Sequence, residues 1–166
     1  WQSFLLQDPF GLNTSFVWFE NYKELFEDTG YYSTMLTTAV FAIMVAGLSL
    51  SLALLLAVQA DKSIKGAGVY KTLLIWPYAV APAVAGVLWI FMFQPSLGVV
   101  AQGIRAMGWN WNPLLNGNDA LTLVVLASTW KQISYNFLFF LAGLQSIPRA
   151  VIEAAAIDGA SPARRF

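Results

Sequence analysis

The sequence predicts an all-α membrane protein, a polytopic bundle of three membrane-spanning helices, and two observations lead to this fold class. Charged residues make up only 11% of the 166 residues, against about 25% in an average soluble domain. A chain with 58% hydrophobic residues and so few charges cannot cover a globular surface with polar groups, so it needs lipid as its solvent. The apolar residues are also gathered into three long runs, as in proteins that cross a membrane several times.

The three apolar runs define the predicted spans. The first, 31–60, follows an external segment at 1–30 and contains no charged residue. The second, 72–94, is also uncharged, and the third, 120–146, contains a single charge, Lys131. About 20 apolar residues are enough to cross the hydrocarbon core of a bilayer. Each run could instead be a buried core helix, but three such runs in one short chain favour membrane spans.

The positions of Lys and Arg predict the orientation, because cytoplasmic loops are enriched in both. The loop 61–71 and the C-terminal segment 147–166 hold six of the nine Lys and Arg residues, so both are expected in the cytoplasm. The segments 1–30 and 95–119 hold two basic residues beside several acidic ones, and we expect both outside. The chain is therefore expected to cross its membrane several times, with 61–71 and 147–166 on the cytoplasmic side.

Small residues spaced four apart predict where helix backbones approach each other closely in lipid. The pairs with this spacing are Ala42 and Ala46, Gly47 and Ser51, Pro82 and Gly86, and Ala142 and Ser146. The spans are therefore expected to pack against other helices, including helices outside this chain. Because the chain begins at Trp1 and ends at Phe166, directly after two arginines, we expect it to be the middle of a longer polypeptide.

Two prolines interrupt the second predicted span, Pro77 and Pro82 in the run IWPYAVAPAVAG. Proline lacks an amide hydrogen and crowds the carbonyl four residues back, here at Leu73 and Tyr78. In lipid, a freed carbonyl is tolerated only where protein or water satisfies it. The prolines therefore predict either a packed kink or an irregular helix that lines a hydrophilic path, and both interpretations stay open.

The third predicted span carries a polar stripe, defined as Ser128, Lys131, Gln132 and Tyr135. The spacing i, i+3, i+4 and i+7 places all four on one helical face. Lys131 falls near the bilayer centre, where a charge costs at least about 2.5–3.5 kcal/mol unless it pairs or faces water. The stripe is predicted to be a wall of a solute path in which Lys131 attracts an anionic group. The alternative is a structural ion pair with a carboxylate on another helix.

The C-terminal segment SIPRAVIEAAAIDGASPARRF predicts a helix, a glycine turn and a second helix. Pro148 suits the first turn of a helix, and Gly159 suits the left-handed conformation that ends one. Ser161 and Pro162 then resemble the start of the second helix. A short helix with a small apolar face is expected to dock into a groove on a partner rather than stand alone in water. A loop on the membrane surface is the alternative.

The stretch EAAAIDGASPARRF resembles the EAA loop of ABC importer permeases, in which E-A-A is followed by three residues and Gly. In that family, the loop is a coupling helix that sits in a cleft of a cytoplasmic ATPase subunit. The resemblance implies an ATPase-coupling role for five residues, namely Glu153, Ala154, Ala155, Asp158 and Gly159. The preceding LAGLQSIPRAVIEAA is similar to the carbohydrate-uptake branch of these permeases.

The resemblance implies a six-span permease, with one span before Trp1 and two after Phe166. It also implies several partners: a second homologous permease subunit, two cytoplasmic ATPase subunits and an external solute-binding protein. No cofactor is expected in this chain, because ATP would be used by the partner subunits. Transport would proceed by alternating access.

The runs WPYAVAPAVAGVLWIF and STWKQISYNFLFFLAGLQSIP are similar to permeases of sn-glycerol-3-phosphate importers. The implied solute is sn-glycerol-3-phosphate or a related sugar or polyol, and a neutral mono- or oligosaccharide is the alternative. The resemblance places solute contacts at Tyr78, at Pro82 and along the polar stripe. Pro82 has no side-chain hydrogen-bonding group, so it would shape the path without binding.

Other classes of function lack the residues that they need. The chain contains no Cys, no His, no GxSxG and no GxxxxGK[ST], so we predict a non-catalytic transport subunit without a metal site. A zero net charge gives no reason to expect nucleic acid as a partner. A secondary carrier or channel would need intramembrane acids or a filter sequence, and neither is visible. A membrane receptor or scaffold would not need a polar stripe at mid-bilayer.

Overall fold

The computed structural model describes residues 1–61 and 67–161. The chain divides into two compact units, Trp1–Ile43 and a second unit from Met44 onward, with the boundary inside the longest helix. The α-helices of the described part are α1 (Glu20–Glu27), α2 (Thr29–Asp61), α3 (Ala67–Ala79), α4 (Pro82–Phe93), α5 (Val99–Ala106), α6 (Gly117–Gln145) and α7 (Arg149–Ile157).

The first unit begins with a small β-hairpin, which the sequence analysis did not predict. A short 3-10 helix at Gln2–Phe4 precedes β1 (Leu5–Gln7), which pairs antiparallel with β2 (Thr14–Phe16). The ring of Phe4 packs against Phe19, which directly precedes α1, and against Tyr22 of α1, with centroids 5.5 and 5.8 Å away. These aromatic contacts join the hairpin to α1, so the predicted external segment is folded.

The main core of the second unit lies where α2, α3 and α6 meet. Ala53, Ala57 and Ala60 form a buried row of small residues along α2, and Phe137 and Leu141 of α6 belong to the same cluster. Alanine side chains leave space beside the α2 backbone, and the large Phe137 ring fills it and is fully buried. The small pairs predicted for close packing are different residues, and all eight of their members are exposed within this chain.

A second, smaller core orders the predicted external loop 95–119. Phe93, Ala101 of α5 and Trp111 are buried together, and Trp111 Nε1 donates a hydrogen bond to the Phe93 carbonyl at 3.0 Å. Arg105 donates to the carbonyls of Pro95 and Trp111. This loop therefore contains a helix and its own packing.

The second predicted span is not one continuous helix, which corrects the expectation for 72–94. The chain bends by 97° between α3 and α4. The ring of Pro82 disfavours a helical conformation in the preceding residue, and Ala81 is extended, with φ −58° and ψ 132°. Pro82 itself fits the first turn of α4, where no amide hydrogen is needed. Pro77 stays inside α3 and is buried, so of the two prolines only Pro82 accompanies the break.

One helix of the described residues, α2, is by itself long and apolar enough to cross a membrane. The number reaches three if the bent pairs α3–α4 and α6–α7 each make one crossing. The division into three spans, and the side of the membrane on which each loop lies, therefore stay predictions.

Some predicted features lie outside the described residues. They are Lys62 and Lys65 of the predicted cytoplasmic loop, together with Pro162, Arg164, Arg165 and the second helix of the C-terminal segment.

Candidate functional site

The polar stripe lies on one uninterrupted helix, so its four residues share a face as predicted. The 29 residues of α6 begin after Asn116, whose side chain accepts a hydrogen bond from the Asn118 amide. Ser128 and Lys131 are half-buried within the chain, whereas Gln132 and Tyr135 are exposed. An exposed polar face on a helix of this apolar composition is available to a solute or to another helix.

Two of the predicted path residues meet across α3 and α6. The rings of Tyr78 and Tyr135 stack with centroids 6.0 Å apart, and Phe139 lies 4.8 Å from Tyr135. With Leu138 and Ala142, these rings line an open groove of about 260 Å³. The groove wall is almost entirely apolar, and the two tyrosine hydroxyls are its side-chain polar groups.

The structure does not bring the other predicted path residues into this groove. Ser128, Lys131 and Gln132 are not part of its wall. Pro82 does not line it either and is exposed at the start of α4, beyond the break that follows Ala79. Broken helices occur at membrane depth only where the freed backbone is buried in protein or lines a water-filled cavity. It therefore stays a prediction that Pro82 and the break shape a solute path.

Lys131 has no acidic partner in the part of the chain that the structure describes. The salt bridge found there joins Lys23 and Glu27 at the surface of α1, with 3.9 Å between nitrogen and oxygen. A lysine ammonium carries three donors and no acceptor, so it attracts an anion or several oxygen acceptors. The arrangement fits an anionic solute group, and it equally fits a carboxylate on a helix of another segment.

Sequence reasoning missed a polar contact inside the helix bundle. Asn136 Nδ2 of α6 donates a hydrogen bond to Ser49 Oγ of α2 at 3.2 Å. Thr129, also on α6, is 5% exposed, and its hydroxyl has no partner among the described residues. Asn136 was not predicted because it lies at the edge of the stripe, about 40° around the helix from Gln132 and about 100° from Tyr135. A lone amide beside the apolar run FLFFL was the signal that could have identified it.

The predicted helix and glycine turn of the C-terminal segment are present. Asp158 ends α7, and Gly159 has the left-handed φ of +80°. The Gly159 amide donates to the Ala156 carbonyl, and the Ala160 amide donates to the Ala155 carbonyl, at 3.2 and 3.0 Å. This is the Schellman arrangement that satisfies the last carbonyls of a helix. A Cβ at Gly159 would meet no atom within 4 Å, so conformation and not space requires glycine.

The residues predicted to couple to an ATPase lie on a helix whose apolar side chains are exposed. Glu153, Ala154 and Asp158 are exposed, and Ala155 is half-buried at the helix end. Val151 and Ile157 are 60% and 87% exposed. A nine-residue helix gains little stability from its own hydrogen bonds, so this apolar surface is suited to binding a partner.

A family model described as "Binding-protein-dependent transport system inner membrane component" matches residues 49–166. The chain belongs to this family. The match includes the aromatic groove, the polar stripe and the segment around α7. The predicted helical membrane bundle and the resemblance to importer permeases are thereby confirmed.

Several curated relatives of this inner membrane component family match the whole chain. A protein of Rhizobium meliloti (strain 1021) named "sn-glycerol-3-phosphate transport system permease protein UgpA" is 54% identical over all 166 residues. Proteins with the same name from Brucella suis biovar 1 (strain 1330) and Yersinia enterocolitica are 56% and 55% identical over the same length. The chain spans 57%, 57% and 56% of these three relatives, respectively.

Proposed function

We propose that the chain is part of the permease subunit of an ATP-driven importer for sn-glycerol-3-phosphate. The importer moves this solute across the bacterial plasma membrane by alternating access. The observation that carries the proposal is the 54–56% identity, along the entire chain, to relatives named as permeases for this solute. The aligned region includes α3 and α6, the two helices that form the aromatic groove. The description of the family adds dependence on a binding protein.

The proposal assigns separate roles to the two ends of the chain. An external solute-binding protein delivers the solute to the segments 1–30 and 95–119. Two cytoplasmic ATPase subunits receive the α7 segments of this permease and of a second homologous permease. The chain itself performs no catalysis, because it contains no phosphate-binding loop for ATP.

The solute contacts combine a charge with an aromatic surface. Lys131 supplies the positive charge for a phosphate, and Gln132 on the same face supplies further hydrogen-bond donors. Tyr78 and Tyr135 offer hydroxyl groups and flat apolar rings for the glycerol moiety.

A neutral sugar is the second candidate solute, and a specific observation favours it. The groove between α3 and α6 is lined by aromatic and aliphatic side chains without a charged group. A neutral mono- or oligosaccharide would use such a wall without needing Lys131.

Uptake into membrane vesicles that contain the full-length permease and its partner subunits tests the proposal. Labelled sn-glycerol-3-phosphate should enter only with ATP and the external binding protein, and it should still enter after the ion gradient is collapsed. Unlabelled sn-glycerol-3-phosphate should compete, whereas neutral sugars should not. Uptake that continues without ATP would contradict an ATP-driven importer. If a neutral sugar competes and unlabelled sn-glycerol-3-phosphate does not, the neutral sugar becomes the assigned solute.

A further inference from the structure

One side-chain hydrogen bond joins α2 to α6, and it is the bond between Asn136 and Ser49. Its two residues are 87 positions apart in sequence and 3.2 Å apart in space. Ser49 is 2% exposed and Asn136 is half-buried, so water has little access to the bond. Among the described residues, no other side-chain hydrogen bond links any two of the helices α2, α3, α4 and α6.

The rest of the α2–α6 contact is apolar and constrains the rotation of α6 less sharply than a hydrogen bond does. Ala53 and Ala57 of α2 meet Phe137 and Leu141 through apolar surface. Apolar contact is non-directional, and small alanine side chains present a smooth surface to their neighbours. A hydrogen bond depends on distance and angle, so the Asn136–Ser49 bond is the directional part of this contact.

The direction of Asn136 determines the direction of the aromatic groove. Successive residues of an α-helix point about 100° apart, so an Asn136 held towards α2 leaves Tyr135 facing a different neighbour. That neighbour is Tyr78 of α3, on which the Tyr135 ring stacks. If α6 turned away from Ser49, the amide would lose its partner in surroundings that contain little water, and Tyr135 would move off Tyr78.

We infer that Asn136 and Ser49 are positioning residues, whose hydrogen bond sets the rotation of α6 and thereby directs the polar stripe and the aromatic groove towards the solute. The inference rests on the proposed transport function. It assigns no solute contact to either residue. Loss of the bond therefore changes the affinity for the solute more than the turnover.

The test uses the full-length permease with its partner subunits in vesicles, and it measures KM and Vmax for ATP-dependent sn-glycerol-3-phosphate uptake. Ser49→Val and Asn136→Leu remove the bond, and each should raise KM about threefold to tenfold with Vmax within about twofold. The double variant should match the single variants, because the bond is already lost in each. Ser49→Thr keeps the hydroxyl in the shape of Val and should restore a KM near that of the original chain.

Ser51→Ala is the matched control, since Ser51 lies on the same helix but is exposed and forms no side-chain hydrogen bond in the structure. Its KM should not change. Equal KM values for Ser49→Thr and Ser49→Val would overturn the inference, and so would additive effects of the two single variants. If Asn136→Leu does not accumulate in the membrane, the Thr and Val pair at position 49 still decides.

A second measurement separates this inference from the proposed function. Tyr78→Cys and Tyr135→Cys introduce a pair for a short bifunctional thiol reagent; this chain has no other Cys, and any Cys elsewhere in the full-length permease is first replaced. Cross-linking should fall severalfold when Ser49→Val is added and should recover with Ser49→Thr. If the original permease does not take up sn-glycerol-3-phosphate, the proposed solute is wrong. Cross-linking still tests whether the hydrogen bond sets the rotation of α6. Unchanged cross-linking would overturn the inference whatever the solute.

Discussion

At the scale of single residues, charge is informative because it is so rare in this chain. Lys131 is the one charged residue between Asp119 and Arg149, and no acidic group of the described part lies within salt-bridge distance. Gly159 is informative for a different reason, because its φ of +80° excludes most other residues without any steric contact. Each of these two positions leads to a substitution with a clear expected result.

Replacing Lys131 should weaken uptake of an anionic solute. Lys131→Gln keeps a polar side chain but removes the charge, and a hydrogen bond to a charged group contributes about 1.5–3 kcal/mol. We therefore expect KM for sn-glycerol-3-phosphate uptake to rise by about tenfold or more, since about 1.4 kcal/mol corresponds to tenfold. Lys131→Arg is the control, because it keeps the charge and should lose less. An unchanged KM in Lys131→Gln would show that the ammonium does not bind the solute.

Replacing Gly159 by Pro should abolish ATP-coupled uptake while leaving membrane insertion intact. Proline fixes φ near −65°, so it cannot adopt the +80° that turns the chain after α7. Gly159→Ala should have a smaller effect, because the left-handed conformation costs a non-glycine residue about 1–2 kcal/mol. Uptake is measured with and without ATP, and the amount of permease in membranes is measured by immunoblot.

The control for this pair is Gly143→Ala. Gly143 lies within α6, and an added Cβ there also meets no atom within 4 Å, but its backbone is helical. Transport should be retained. Uptake at the original rate in Gly159→Pro would show that this turn does not transmit the ATPase movement.

At the scale of elements, the two prolines of the second predicted span behave differently. Pro82 ends the helical conformation by restricting Ala81, and a bend of 97° follows. Pro77 is packed within α3 and leaves that helix continuous. The sequence shows both prolines in equally apolar surroundings, so its pattern alone does not reveal which one breaks the span.

Pro82→Ala should allow α3 and α4 to approach a single straight helix. Spin labels at two exposed positions, Thr72 and Met92, would be about 30 Å apart along a straight helix and roughly 20 Å apart with the observed bend. We expect the distance distribution measured by pulsed electron resonance to shift towards the longer value, because Ala81 is freed. In Pro77→Ala, the matched control, the distribution should stay as it was. The same short distance in both variants would mean that packing, and not Pro82, maintains the bend.

At the scale of the whole molecule, the distribution of charge predicts how the chain crosses the membrane. Most Lys and Arg residues lie in the two segments assigned to the cytoplasm, whereas 1–30 is acidic and 95–119 has no net charge. Membership of an inner membrane component family supports the membrane location and leaves the side of each loop to experiment.

Labelling of single cysteines tests this topology, and this chain contributes no Cys of its own to the background. Leu12→Cys and Leu115→Cys, at exposed positions of the predicted external segments, should react with an impermeant maleimide added outside intact cells. Glu153→Cys should react only after the membrane is opened. If Glu153→Cys is labelled from outside, then α7 does not face the cytoplasm and its coupling role fails.

The sequence by itself determined the features that depend on composition and local spacing. The apolar runs require lipid, the spacing of the polar stripe needs only a continuous helix, and Gly159 ends α7 through its own backbone freedom. The resemblance based on the EAA stretch and its neighbours also identified the family that the family model confirms. The bounds of α2 and α6 fall close to the predicted ones for the same local reason.

Only the tertiary structure decided which residues meet. The contacts of Tyr78 with Tyr135, and of Asn136 with Ser49, join positions 57 and 87 residues apart. They depend on which faces of α2, α3 and α6 come together. That choice combines many weak apolar contacts with one directional hydrogen bond between α2 and α6, and the sequence offers several small-residue surfaces as candidates for such contacts. The row at Ala53 and Ala57 is buried here, and the predicted small pairs are exposed, because Phe137 and Leu141 pack onto that row.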